Sequence, residues 1–243
     1  MTKGRLEGKV ALVTGASRGI GKGIALSLAQ QGYRVALAAK NKERLEETAQ
    51  SLPLQPLVFS LDVRSEQEVG KAIQETIQHC GHIDVLVNAA GVLLPGGSDL
   101  SSEDFRSMIE TNLLGAFYCI QAAAPHMKER RSGYIFNIAS RAGKMGNGFM
   151  AGYCASKFGL MGLNDSLVSD LAQFGIKMTA LCPGWVDTDM ATRANLPPEA
   201  RITVEDVVRT VHFLLSLSPN CCIRECVLEC CKNIEKANVS PFL

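Results

Sequence analysis

Seven short runs rich in Val, Ile, Leu and Ala recur along the chain, with longer segments between them. They are "KVALVT" (9–14), "YRVALAA" (33–39), "PLVFSLDV" (56–63), "IDVLVNAAG" (83–91), "GYIFNIAS" (133–140), "IKMTALCPG" (176–184) and "CIRECVLE" (222–229). Several are apolar almost throughout, as strands covered on both faces must be. The intervening segments carry helical period. The clearest predicts one helix over 102–130, where Phe105, Met108, Ile109, Leu113, Phe117 and Ile120 recur at spacings of three and four. Ser101 with Asp104 gives it a capping-box-like start. Such repeated alternation implies an α/β fold: one doubly wound parallel sheet of about seven strands, with helices on both faces. No repeat, low-complexity tract or composition break marks a second domain, so 1–243 is expected to form a single domain. Its ligand crevice belongs where the strands end.

Composition excludes several classes. Lys and Arg number 25 against 24 Asp and Glu, a net charge of +1, which gives no bulk electrostatic case for nucleic acid or an anionic membrane. The first apolar run stops at a turn, too early for a signal peptide, and no run reaches the length of a membrane span. A soluble, cytoplasmic protein is expected. Nine cysteines then read as free thiols rather than a disulfide framework. Cys221, Cys222, Cys226, Cys230 and Cys231 crowd the tail, and spacings of four put Cys222, Cys226 and Cys230 on one face of either a helix or a strand. The stretch has no C-x-x-C pair and no histidine, so small apolar packing in a last strand is expected and no metal. Asn238-Val239-Ser240 matches a glycosylation acceptor, a reading given no weight in an intracellular chain.

Directly after the first strand comes Thr14-Gly15-Ala16-Ser17-Arg18-Gly19-Ile20-Gly21, opening a helical stretch. Such a turn aims backbone N–H groups and the positive end of a helix dipole at a phosphate. Taken alone, it serves a structural bend equally well. The second strand ends in Ala38, Ala39 and Lys40, with no carboxylate to hold ribose hydroxyls or repel a 2′-phosphate. Lys40 and Arg18 could both reach such a phosphate, so NADP(H) is expected over NAD(H).

Further along, "YCASK" places Lys157 one helical turn from Tyr153, on the same face. A free phenol titrates near 10 and is inert at neutral pH unless its surroundings tune it. Asp62-Val63 follows the third strand and "NAAG" (88–91) the fourth, Asn112 lies in the next helix, Ser140 ends the fifth strand, and Pro183-Gly184 ends the sixth. In this order, over nearly the whole chain, these residues resemble the short-chain dehydrogenase/reductase family. The resemblance implies a Rossmann-type domain and a nicotinamide cofactor contacted by Gly15, Ser17, Arg18, Gly19, Ile20, Gly21, Lys40, Asp62, Val63, Asn88, Ala89, Gly91, Tyr153, Lys157, Pro183, Gly184, Val186 and Thr188. It implies that Tyr153 exchanges a proton with the substrate oxygen, that Ser140 donates a hydrogen bond to that oxygen, and that Lys157 also holds the nicotinamide ribose. Asn112 would fix a water linking Lys157 to solvent. Two cations near Tyr153, Lys157 and an oxidised nicotinamide, would each favour tyrosinate by up to ~4 kcal/mol at an effective dielectric of about 20.

The resemblance also implies a homotetramer or homodimer, although the tail after the last strand lacks the family's usual glycines. The stretch after Gly184 is short for a lid over a bulky substrate. Expected pocket residues are Leu93, Leu94, Arg141, Lys144, Met145, Phe149, Met150, Trp185 and Met190; two cations among apolar groups suit a carbonyl compound with a chain or an anionic group. The likeness is nearest to 3-oxoacyl-[acyl-carrier-protein] reductases, with Lys128, Arg130 and Arg131 a candidate face for an acidic carrier. Phe174, where carrier-using relatives often have a second basic residue, weakens that reading. The alternatives are an enzyme of a free small carbonyl or hydroxy acid, and a non-catalytic NADP(H)-binding regulator. The Asn-Ser-Tyr-Lys set argues against the regulator.

Overall fold

A computed structural model describes residues 8–193 and 196–234. Seven strands, β1 (Val10–Thr14), β2 (Arg34–Ala39), β3 (Leu57–Ser60), β4 (Val85–Asn88), β5 (Gly133–Ile138), β6 (Ile176–Pro183) and β7 (Glu225–Leu228), form one parallel sheet in the order β3-β2-β1-β4-β5-β6-β7. Helices α1 (Gly19–Gln30), α2 (Lys42–Gln50), α3 (Glu66–Cys80), α4 (Ser102–Ile109), α5 (Gly115–Arg130), α6 (Ala151–Ala172), α7 (Val204–Ser216) and α8 (Cys231–Ile234) connect and follow them. The doubly wound fold expected from the alternation is present. The order reverses between β1 and β4, the point where such sheets open a crevice.

Strand periodicity divides the core. Ala11, Val13, Val35, Leu37, Val85, Val87 and Phe136 face one side and pack against α1 and α7 through Ile24, Ala25, Leu28, Val207, Val211 and Leu214. Their neighbours Leu12, Ala36, Leu86 and Ile135 face the other side, against Ile73 of α3, Ile120 and Ala123 of α5 and Leu171 of α6. Burying one such aliphatic side chain contributes about 1.5–3 kcal/mol, so the continuous apolar strands are what hold both helical layers to the sheet.

Two expectations are corrected. The helix expected over 102–130 is not continuous: α4 passes into a π-helical turn, Glu110–Leu114, before α5 begins. A π turn accommodates one extra residue without ending the helix, and this one carries the buried Asn112. The last strand is only four residues long. Cys226 lies in it, half-buried against the α1/α7 layer, but Cys222 is exposed before it and Cys230 follows it. Asn238-Val239-Ser240 lies outside the described residues. Among the described residues no helix is long and apolar enough to cross a membrane.

Candidate active site

Because all strands run one way, their C-terminal ends share one edge, and the loops leaving it enclose a cavity of about 550 Å³. The glycine turn forms its floor. Gly15 adopts φ 65°, and a Cβ there would stand 2.7 Å from the Ala89 backbone, so only glycine lets β1's loop lie against that of β4. Thr14 Oγ1 accepts from the amides of Ala89 (3.1 Å) and Ala90 (3.2 Å), tying the same two loops together. No side chain caps α1, so its first amides and the positive dipole end face the cavity lined by Gly19, Ile20 and Gly21. This is a cradle shaped for a phosphate group.

Charged side chains rim one end. Ala39 is buried where β2 stops. Lys40 Nζ lies 3.1 Å from Asp62 Oδ2, and Arg64 Nη2 lies 2.6 Å from the same oxygen, with Arg64 Nε donating to both carboxylate oxygens. Arg64's hydrogen bonds hold the Asp62 carboxyl well below the usual carboxylate range. Arg44, in the first turn of α2, donates to Asp189 Oδ2 at 3.2 Å, and Arg18 Nη1 lies 3.6 Å from that atom. Asn41, Arg44, Arg64 and Asp189 all line the cavity and escaped the sequence reading. The cations of "KNKER" within one helical turn of β2's end could have flagged Arg44; nothing in the sequence pairs it with Asp189.

The other end is dry. Ser140 follows β5 and caps a short 3-10 turn, Arg141–Gly143, its Oγ accepting from Ala142 N at 3.1 Å. Tyr153 and Lys157, 7% and 4% exposed, project from the first turns of α6. Lys157 Nζ donates to the Ile138 carbonyl at 2.8 Å and stands 5.6 Å from the Tyr153 ring centre. Burial pushes the Tyr153 phenol up to about 12, with the Ser140 hydroxyl pulling the other way, and burial brings Lys157 down to about 8. Desolvation thus sets the direction in the protein alone, whereas the lowering expected from the sequence counted the charge of an oxidised nicotinamide as well as that of Lys157. Asn112 is spoken for: Nδ2 donates to Val92 O and Ser156 Oγ, both at 2.9 Å, and Oδ1 accepts from Val92 N at 2.8 Å. It clamps the π turn to the loop after β4 and to α6.

A short chain dehydrogenase family profile matches residues 9–198. The chain belongs to the short-chain dehydrogenases. It is 38% identical over 223 residues to a 3-oxoacyl-[acyl-carrier-protein] reductase of Staphylococcus aureus, covering 86% of this chain and 91% of that one. It is 35% identical over 213 residues to an uncharacterized oxidoreductase of Staphylococcus epidermidis, covering 87% and 93%. Among solved structures, an alcohol dehydrogenase from the archaeon Thermococcus sibiricus, complexed with 5-hydroxy-NADP, superposes with a TM-score of 0.85 at 30% identity, covering 92% and 97%. A β-ketoacyl-[ACP] reductase from Bacteroides thetaiotaomicron does so at 0.82 and 38% identity, covering 94% and 99%. The family is one of nicotinamide-dependent oxidoreductases.

In this short-chain dehydrogenase, the residues expected at the cofactor converge on the cavity with one exception. Gly15, Ser17, Arg18, Gly19, Ile20, Gly21, Lys40, Asp62, Val63, Ala89, Gly91, Tyr153, Lys157, Pro183, Gly184, Val186 and Thr188 line it, and Asn88 does not. Asn88 is buried behind the strand ends, its Nδ2 donating to Asn137 Oδ1 at 2.9 Å. Of the expected substrate residues, Leu93, Arg141, Met145, Met150, Trp185 and Met190 line the cavity. Phe149 does not: its φ of 58° turns it away, 45% exposed. Lys144 also stays outside, paired with Glu225 at 2.7 Å, and Arg141 is paired with Glu229 at 2.8 Å. The three basic residues at the C-terminal end of α5 are likewise engaged. Lys128 pairs with Asp170 (2.8 Å), Arg130 lies 3.6 Å from Asp84, and Arg131 donates to the Gln173 carbonyl. Asp84 precedes β4 and accepts from Val10 N, so this cluster sits at the sheet edge opposite the cavity.

Proposed function

We propose that the protein is an NADP(H)-dependent reductase that turns a neutral, largely apolar carbonyl compound, of 3-oxoacyl type, into the secondary alcohol, with Tyr153 as the acid. The cofactor choice is carried by one observation. Arg18, Lys40 and Arg44 cluster at the end of β2, where Ala38 and Ala39 leave no carboxylate on the strand itself, against two carboxylates, Asp62 and Asp189. The glycine cradle and the open α1 N-terminus fit the pyrophosphate of a dinucleotide.

A nicotinamide held in this cavity would supply the hydride for the carbonyl carbon. Tyr153, held protonated by burial, gives its proton to the carbonyl oxygen. Ser140 stands beside the Tyr153 hydroxyl and can donate to the same oxygen: its own oxygen accepts from Ala142 N, and its bond to Pro183 O lies at the long limit of 3.5 Å. The resulting tyrosinate is stabilised by the Lys157 ammonium, which Ile138 O anchors while two N–H donors remain for cofactor hydroxyls. That role needs the protonated lysine. Reduction should therefore be supported below about pH 8 and decline as pH rises through that value.

Substrate polarity follows from the cavity wall. Leu93, Met145, Met150, Trp185 and Met190 supply an apolar lining, and Arg141 is already neutralised by Glu229. An acid-bearing substrate would have to displace Glu229. The test is NADPH oxidation with a medium-chain 3-oxoacyl thioester analogue, an aliphatic ketone and a 2-oxoacid. The first two should turn over fastest; the 2-oxoacid as best substrate would refute this reading. For the cofactor, kcat/KM should favour NADPH over NADH. Ala39→Asp with Lys40→Ala should invert the preference, by roughly 1–3 kcal/mol, because the carboxylate repels a 2′-phosphate and accepts from a 2′-hydroxyl.

A further inference from the structure

Three elements distant in sequence meet at one carboxylate on the cavity rim. Asp189 lies in the loop after β6, Arg18 in the glycine turn and Arg44 in the first turn of α2. Asp189 Oδ2 accepts from Arg44 Nη1 at 3.2 Å and lies 3.6 Å from Arg18 Nη1. All three line the cavity, and their side chains are 50–60% exposed. Two guanidiniums on one monoanion leave a net positive charge, and a phosphate monoester, carrying close to two negative charges and three acceptor oxygens, uses two guanidinium forks more fully than one carboxylate does.

The loop holding Asp189 has its own scaffold. Thr192 Oγ1 donates to the Asp189 carbonyl at 2.8 Å, Ala191 N donates to Thr188 O at 2.9 Å, and Asp187 pairs with Arg201 at 2.9 Å. Its backbone is thus fixed independently of the two arginines, so removing the Asp189 charge should leave the turn in place.

We infer that Asp189 is a built-in competitor for the cofactor's 2′-phosphate: it occupies Arg18 and Arg44 in the free protein, and a 2′-phosphate must take both arginines from it. Arg44 is then a specificity-determining residue, and Asp189 a positioning residue that lowers affinity for the phosphorylated cofactor alone. The inference rests on the NADP(H) reading above. Because the exchange replaces one anion by another at an open rim, its effect is modest and salt-sensitive.

The experiment is calorimetric binding of 2′,5′-ADP and 5′-AMP, which carry the adenosine end without a nicotinamide, to wild type, Asp189→Asn, Arg44→Gln and the double variant. Wild type should bind 2′,5′-ADP more tightly. Asp189→Asn should tighten 2′,5′-ADP about two- to fivefold, the range of one exposed ion pair, and leave 5′-AMP unchanged. Arg44→Gln should weaken 2′,5′-ADP by a similar factor, and in that background Asp189→Asn should gain less. The gain should shrink as salt is raised. If wild type fails to prefer 2′,5′-ADP, the NADP(H) reading falls and this inference with it. If wild type prefers it but Asp189→Asn leaves it unchanged, weakens it, or tightens both ligands equally, the competitor role alone is overturned.

Discussion

The two ends of the cavity are built on opposite principles. At one, Tyr153 and Lys157 are almost fully buried, their ionisation shifted toward the neutral forms, and Lys157 is held by a backbone carbonyl. At the other, Arg18, Lys40, Arg44 and Asp189 sit half or more in solvent, Arg18 and Arg44 pairing with Asp189 and Lys40 with Asp62. A dry site costs desolvation in folding and offers fixed groups for chemistry; a wet rim costs little and offers exchangeable ions. Changes at the dry end should therefore be large and insensitive to salt, and changes at the rim small and salt-dependent.

The sharpest way to break this contrast is Tyr153→Phe. Loss of the acid should lower kcat by at least about a hundredfold while the dissociation constant for the cofactor stays nearly constant. Turnover near wild type in the folded variant would remove Tyr153 from the chemistry. Next comes Asn112→Ala, which removes one buried and two part-buried hydrogen bonds, the latter to the two backbone polar groups of Val92. We expect a loss of about 2–4 kcal/mol in urea unfolding; a loss below about 1 kcal/mol would show that the clamp is not needed to hold the π turn.

Lys157 links the dry end to stability. Its folded pKa, about 8, lies below its ordinary 10.5, so between those values the unfolded chain holds a proton that the folded chain lacks. Stability contributed by this residue rises across that window, and below it the buried ammonium costs ~3 kcal/mol. The unfolding free energy of wild type relative to Lys157→Met should therefore rise between pH 8 and 10. A flat difference would mean that the ammonium is better solvated than its burial implies.

The smallest effect should come from the helix-end cations. Reversing Arg130 and Arg131 to Glu should change KM for a small thioester by less than about twofold, because both lie at the sheet edge away from the cavity. A selective rise in KM for a carrier-bound thioester would return that surface to the substrate path.

What the sequence determined by itself is what depends on neighbours within a few residues. The seven strands were legible because burial on both faces demands nearly continuous apolar runs, and the turn at Gly15 because a strand-to-helix bend against another loop admits only glycine. The Tyr153/Lys157 pairing was legible because a spacing of four on a helix needs no tertiary information. The tertiary structure alone decided the rest. The π turn at Asn112 is set by packing partners on α6 and after β4, not by local propensity. Phe149 leaves the cavity through a left-handed backbone angle that no periodicity signals. The direction of the Tyr153 shift depends on how much water surrounding elements exclude, and Arg44 meets Asp189 across 145 residues of chain. Solvent exclusion and long-range charge pairing are properties of the assembled loops, and neither is written in any short stretch of the chain.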